Sequence, residues 1–420
     1  METAQFILRV ILVFAVLAML FFSQRYWFRQ AKRLKQRISH KGFRLALRYL
    51  LFGLALFMLA LVASYFTGGP LRRLSVFPMV GLWLFASLFA WLGIKMVKGA
   101  ERGWELARRQ FATARKSSGS VLGPPASVEN PSRRQFFQTA TYLAGAVPFV
   151  GAVYGFAAER LRFTLEHVDV PLGNLPEALD GLRISQISDI HMSAYLTREQ
   201  LRRAVDMAND LGAELAVVTG DFITSGRDPL PECVRELARL RAPLGVWGCL
   251  GNHEIYAGCE DVATALLRKV GVRVLRRESA EILWRGQPLN LIGVDYQRTR
   301  GLDGRKLPML SGVEPLVRRD VPNILLSHNP NAFDRAAELG IEFTLAGHTH
   351  GGQINVEILE SQISAARFMT DYVAGMYSRI SQLTSQTAHL YVNRGLGTVG
   401  APVRVGAPPE ITLLTLRRAS

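Results

Sequence analysis

The stretch LRISQISDIHMSAY (182–195) leads from apolar residues into an aspartate and, two places further on, a histidine. An apolar run of this length reads as a buried strand. Its polar end could be a surface strand terminus, or the first half of a metal site. The rest of the chain bears on the choice. AELAVVTGD (213–221), GVWGCLGNHE (245–254), NILLSHNP (323–330) and FTLAGHTHGGQ (343–353) repeat the arrangement: an apolar run, then a cluster of Gly, Asp, Asn or His. Five of the eight histidines in the chain lie in these clusters. One such histidine is more often a satisfied structural residue, but five beside glycines and acids are not explained that way.

Between the strand-like runs lie helical patterns. TREQLRRAVDMANDLG (197–212) carries apolar residues at Leu201, Ala204, Val205, Met207 and Ala208, with Thr197 placed to cap its start. CVRELARLRA (233–242) and VATALLRKVG (262–271) read as helices too. The alternation indicates an α/β domain from 159 to 420, with sheets buried between helices. Ligand-type side chains gathered at the carboxyl ends of strands are where open α/β sheets build sites.

At 420 residues the chain is long enough for more than one structural unit, and its net charge of +16 is unevenly distributed. Residues 1–160 hold 22 Lys and Arg against 5 acids; residues 161–420 hold 28 against 29. The excess belongs to the first part, so no nucleic-acid partner is expected of the second. The first part reads as membrane. FILRVILVFAVLAMLFF (6–22), YLLFGLALFMLALVASYF (49–66) and LSVFPMVGLWLFASLFAWLGI (74–94) each approach the span of a bilayer-crossing helix. The segment 24–48 carries nine Lys and Arg with no acid, and 95–134 carries nine with three acids. The positive-inside rule puts both in the cytoplasm and the N-terminus outside. Three buried core helices would not explain that loop bias.

A fourth apolar stretch, TATYLAGAVPFVGAVYGFA (139–157), comes directly after SRRQFFQ (132–138). Arg133, Arg134 and Phe136 resemble a twin-arginine export signal, with Gln138 departing from the usual Lys. The alternative is an ordinary basic flank. Either way an even number of crossings puts the residues beyond 158 outside. The expected organisation is a three-helix membrane region (1–114), a flexible linker rich in Ser, Gly and Pro (115–131), a signal or anchor helix (132–158) and the α/β domain. The lipid bilayer and the twin-arginine translocation machinery are the expected partners.

The ordered series D-x-H, G-D, G-N-H-E, H and G-H-T-H resembles the calcineurin-like metallophosphoesterase superfamily, over roughly residues 161–416. GHTHGGQ and the C-terminal YVNRGLGTVGAPVRVGAPPEITLLTL bring it closer to a membrane-associated bacterial branch. The resemblance implies a β-sandwich flanked by helices, four layers in the order α/β/β/α. It implies two divalent metal ions: Asp189, His191 and His350 for one, Asn252, His328 and His348 for the other, and Asp221 for both. Two carboxylates against two divalent ions leave net positive charge for a hydroxide nucleophile and a phosphate. Imidazole with carboxylate suits Mn, Fe or Zn better than Ca. His253, adjacent to Asn252 on what reads as a tight loop, is implied to face the substrate as a general acid or phosphoryl donor; a purely orienting role is the alternative.

The resulting expectation is a membrane-anchored hydrolase in the bacterial inner membrane, its catalytic domain extracytoplasmic, acting on a phosphomonoester, phosphodiester or pyrophosphate that could be lipid-linked. Alternatives are a pyrophosphohydrolase of the UDP-2,3-diacylglucosamine type and a catalytically silent sensor or scaffold. A Cys233–Cys259 disulfide is conceivable outside the cytoplasm. The segment 354–388 reads either as a lid beside the site or as a packed helix or hairpin.

Overall fold

The computed structural model describes residues 2–37, scattered positions between 42 and 60, and residues 77–117, 131–298, 307–358, 361–368 and 370–419. The apolar run at 49–66 and the linker fall largely outside them. The chain divides into two compact units, Met1–Tyr154 and Gly155–Ser420.

The first unit contains α1 (Glu2–Arg37), α2 (Phe77–Ser117) and most of α3 (Pro131–Ala157). Residues 115–117, expected in the linker, are the last turn of α2. A polar knot joins α1 to α2. Gln24 Nε2 donates to Ser87 Oγ at 2.7 Å, Trp27 Nε1 to the Ser87 carbonyl at 2.8 Å, and Trp83 Nε1 to Gln24 Oε1 at 3.1 Å. Phe149 of α3 closes the knot, its ring 5.5 Å from Trp27 and 5.4 Å from Trp83. Among the described residues, Met79–Gln110 and Ser132–Leu161 are long and apolar enough to cross a bilayer, where the sequence led to an expectation of about four such helices.

The second unit begins with β1 (Thr164–Leu172), β2 (Arg183–Ile187), α4 (Arg198–Asp210), β3 (Leu215–Thr219), α5 (Leu230–Leu237) and β4 (Val246–Cys249). Next come α6 (Asn252–Ala257), α7 (Glu260–Lys269), β5 (Val272–Val274), β6 (Glu278–Trp284), β7 (Gln287–Gly293) and β8 (Asn323–Leu326). After α8 (Phe333–Leu339) and β9 (Phe343–Ala346) the chain forms the hairpin β10 (Asn355–Ile358) and β11 (Ser361–Ser364). It ends with β12 (Gly375–Ile380), β13 (Thr387–Val392) and β14 (Glu410–Arg418).

Two six-stranded mixed sheets result, ordered β1-β14-β2-β3-β4-β5 and β12-β13-β9-β8-β7-β6. Side-chain alternation decides what each face meets. Leu215 and Val217 of β3 pack with Ile324 and Leu326 of β8 and Leu345 of β9, between the sheets. Ala216 and Val218 point the other way, onto Leu201, Val205, Val234 and Leu267 of α4, α5 and α7. Leu325 faces Ala332, Ala336 and Leu339 beyond the second sheet. The layers are therefore helix, sheet, sheet, helix. Each fully buried Leu or Val contributes about 1.5–3 kcal/mol relative to exposure.

Strands β2 to β5 run parallel, as do β7, β8, β9 and β13. Their carboxyl ends therefore emerge together at one edge of each sheet. The 354–388 segment is a hairpin, a short 3-10 turn and the edge strand β12. Cys233, Cys249 and Cys259 are free thiols, so the conceivable disulfide is not formed.

Candidate metal centre

Five strand ends deliver the residues singled out in the sequence. β2 leads to Asp189 and His191, β3 to Asp221, β8 to His328, and β9 to His348 and His350. After β4 the chain turns at Gly251 into α6, so Asn252 and His253 open a short helix where a tight loop was expected. All eight residues converge. Asp189, His191, Asp221, Asn252, His328 and His350 are buried, and His253 and His348 are half-buried.

The backbone is bent to bring them together. Asp189, His191, Asp221, His348 and His350 have φ of 46°, 46°, 54°, 76° and 54°. That left-handed region is uncommon for residues other than glycine, though Asp, Asn and His enter it more readily than most. Such strain, on the order of 1–3 kcal/mol each, persists where surrounding structure imposes it. Here the loops are stitched together: Asp189 N–H donates to the Gly220 carbonyl at 3.1 Å and His191 N–H to the Asp221 carbonyl at 3.0 Å. Gly347 is required by close approach, since a Cβ there would strike Ser188 Oγ and Asp189 Oδ2.

Asp221 lies between two clusters. Its Oδ2 is 3.3 Å from His191 Nε2 and 3.1 Å from His328 Nε2. Asp189 Oδ1 is 3.4 Å from His350 Nε2, and Asn252 Oδ1 is 3.2 Å from His328 Nε2. Ligand-type atoms come within 4.8 Å of one another in three groups: Asp189, His191 and His350; His191, Asp221 and His253; Asp221, His328 and His348. The middle group brings His253 closer to ligand position than its expected substrate-facing role requires.

The outward ring nitrogens are anchored. His328 Nδ1 meets the Thr219 carbonyl at 2.6 Å and His253 Nδ1 meets the Thr224 carbonyl at 2.7 Å. Carbonyls only accept, so each Nδ1 carries hydrogen and each ring turns its Nε2 inward. His191 Nδ1 lies 3.1 Å from Thr224 Oγ1, and its buried Nε2 has no hydrogen-bond partner.

Electrostatically the site asks for cations. Burial opposes protonation of His328, but Asp221 and Asp189 outweigh it and raise the imidazole to about 10. Burial, then the neighbouring His191 and Arg404, hold His350 well below the usual histidine range. Burial brings His348 down to about 3. An orphaned imidazole nitrogen, two buried carboxylates and an amide oxygen fit divalent ions of the imidazole-and-carboxylate type.

Some supporting residues carried little signal in the sequence. Ser188 Oγ donates to Asp189 Oδ2 at 2.6 Å. Glu254, the last residue of G-N-H-E, accepts from the N–H groups of Asp221, Phe222 and Gly251 at 3.0, 2.8 and 2.8 Å; burial raises its carboxyl to about 7. Tyr296, just beyond β7, places its ring 5.3 Å from His348. Nothing in its local pattern sets it apart from a core aromatic.

Two clusters of imidazole and carboxylate around a shared aspartate, at the carboxyl edge of two packed sheets, are the apparatus of a metal-dependent phosphoesterase. The family model for calcineurin-like phosphoesterase matches residues 182–352. A transmembrane protein with metallophosphoesterase domain from Danio rerio is 31% identical over 318 residues, covering 72% of this chain and 68% of the relative. The metallophosphoesterase YkuE of Bacillus subtilis is 31% identical over 300 residues, covering 68% of this chain and 98% of its own. UDP-2,3-diacylglucosamine pyrophosphatase LpxG of Chlamydia trachomatis is 25% identical over 298 residues, covering 57% and 86%. The chain belongs to the calcineurin-like metallophosphoesterases, and it is a metal-dependent hydrolase.

Proposed function

We propose that this chain is a membrane-anchored phosphoesterase with a centre of two divalent ions, hydrolysing a phosphomonoester, phosphodiester or pyrophosphate bond on the extracytoplasmic face. The observation that carries the reading is Asp221, whose carboxylate lies beside imidazoles of both clusters. Asp189, His191 and His350 would hold one ion; Asn252, His328 and His348 the other; Asp221 both. Bound there, Mn, Fe or Zn would polarise phosphate oxygens and make water nucleophilic at neutral pH. The chain's own groups do the rest. Thr219 and Thr224 aim the imidazoles. Burial holds His253 below the usual histidine value, so it is largely neutral before substrate arrives. An incoming phosphate anion favours its protonated form, and its Nε2 then holds the proton for the leaving oxygen. Metal analysis of purified full-length protein tests this reading; fewer than two ions per chain under metal-replete conditions would refute it.

The membrane part of the reading is four crossing helices in a bacterial inner membrane, the last led by SRRQFFQ and delivered by the twin-arginine route. Two long apolar helices and a relative named as a transmembrane protein support membrane association. The likeness to LpxG favours a second reading, a lipid-linked pyrophosphate as substrate. A substrate of that kind made in the cytoplasm requires the reverse orientation. A C-terminal reporter active only inside the cell would favour it over the first.

A further inference from the structure

Among the described residues, the largest fully buried side chain belongs to Arg404, which lies in the C-terminal stretch 391–416 but in none of the clusters that supply candidate ligands. Its guanidinium donates mainly to carbonyl oxygens: Arg394 at 2.9 Å, Gly395 at 3.0 Å, Gly397 at 2.5 Å and Ala407 at 3.0 Å, with the His350 carbonyl at 3.4 Å and the His350 Nδ1 at 3.5 Å. Only arginine presents five N–H donors in a rigid fork able to gather that many acceptors.

The carbonyls it gathers belong to the backing of one half of the metal centre. Leu396 N–H donates to the Ser188 carbonyl at 3.0 Å and Gly397 N–H to the Asp189 carbonyl at 2.7 Å. The loop lies so close that a Cβ on Gly395 would strike Asp189, and one on Gly397 would strike the Ile190 carbonyl and crowd His191. Arg404 thus ties the 394–397 loop and the His350 backbone into one piece behind Asp189, His191 and His350.

The other side of Arg404 rests on the last turn of α3. Arg404 N–H donates to the Gly155 carbonyl at 3.2 Å. A Cβ at Gly155 would lie 2.5 Å from the Arg404 carbonyl and from Val403 Cγ2, and 2.8 Å from Val405 Cγ2. The helix end and the 3-10 turn after it (Glu159–Leu161) hold the DIH loop from its far end: Arg160 Nη1 donates to the Tyr195 carbonyl at 2.6 Å, and the Phe156 and Tyr195 rings pack at 6.5 Å.

We propose that Arg404, seated on the helix end at Gly155, is a positioning device for the Asp189–His191–His350 half of the centre, so that the geometry of one metal position depends on the end of α3. The inference rests on the two-ion reading above. It is tested on the full-length chain in detergent, stripped of metal and titrated with Mn²⁺ by calorimetry. Arg404→Met is expected to weaken one of two binding events by about 10- to 100-fold, the range typical of groups that orient ligands, and to leave the other near wild type. Gly155→Val should give the same one-sided loss without touching any ligand. Gly151→Val, at a position of the same helix with nothing within 4 Å, should bind both ions normally. If Arg404→Met does not fold, Arg404→Lys keeps the charge with fewer donors and should show an intermediate one-sided loss. Wild-type binding of both ions by Gly155→Val and by either folded Arg404 variant overturns the proposal. So does equal loss of both ions in step with the melting temperature, which is the mark of a general structural role. Fewer than two ions in the wild type would instead overturn the two-ion reading.

Discussion

At the scale of the residue, Asp221 and His253 divide the proposed chemistry between holding and reacting. Asp221 Oδ2 lies beside imidazoles of both clusters, whereas Asp189 Oδ1 is closest to His350. Asp221→Ala is therefore expected to lose both ions, and Asp189→Ala to lose one more readily than the other; elemental analysis of the two variants distinguishes them. His253→Ala is expected to retain two ions. It should lose about 10²–10⁴-fold in turnover of an alkyl phosphodiester, where the leaving oxygen needs a proton, and less on a nitrophenyl ester, where it does not. Loss of an ion would make His253 a ligand, a role its closeness to His191 and Asp221 leaves available. Side-chain identity was legible here because ligand chemistry restricts residue types: Asp, Asn and His at strand ends announce themselves. The supports were not. Ser188, Thr224 and Arg404 act through hydroxyls, carbonyls and a guanidinium, which occur on any surface. Only the folded chain shows what they touch.

At the scale of the element, α4 was readable down to its cap. Thr197 N–H donates to Gln200 Oε1 at 2.9 Å, and Gln200 N–H reaches back to Thr197 Oγ1. β2, β3, β4, β8 and β9 were readable as apolar runs because both their faces are buried. β12 is an exposed edge strand of mixed polarity and carried no such run. α6 was hidden because its six residues are too few to show a helical period. The pairing of α4 with α5 was equally invisible. It centres on Glu236 of α5, whose side chain is 1% exposed and which accepts from Arg198 at 2.5 Å and Arg202 at 3.0 Å. The Arg202 hydrogen bond, opposed by burial and assisted by Arg198, holds the Glu236 carboxyl down at about 2 against an ordinary 4.5. A lowered carboxyl value means that the stabilisation is fully present above pH 4.5 and fades as pH falls towards 2. Glu236→Gln should cost about 1–3 kcal/mol at neutral pH. Its melting temperature should also fall less steeply than the wild type's below pH 4.5, which a pH series of thermal melts reads directly.

At the scale of the whole molecule, the uneven charge of the sequence maps onto two compact units, with the basic excess in the first. If SRRQFFQ directs export, Arg133→Lys with Arg134→Lys should leave the preceding helices inserted and keep the catalytic unit inside. Unchanged access of added protease to that unit from outside would reduce the arginines to a topological flank. Strand order adds a constraint of another kind. β14 lies between β1 and β2, parallel to the first and antiparallel to the second. The opening strand of the catalytic unit thus takes its place in the sheet through its closing one, 246 residues away at Thr164 and Glu410. Bringing such distant segments together is slow, because the chain's freedom is lost before the contact rewards it. A ribosome that has not yet released 410–418 therefore carries a first sheet with a gap in its interior, and removing those nine residues should yield insoluble protein. Folding of the first sheet waits on 410–418, and whatever moves or protects the chain before then meets an open sheet lacking the strand between β1 and β2.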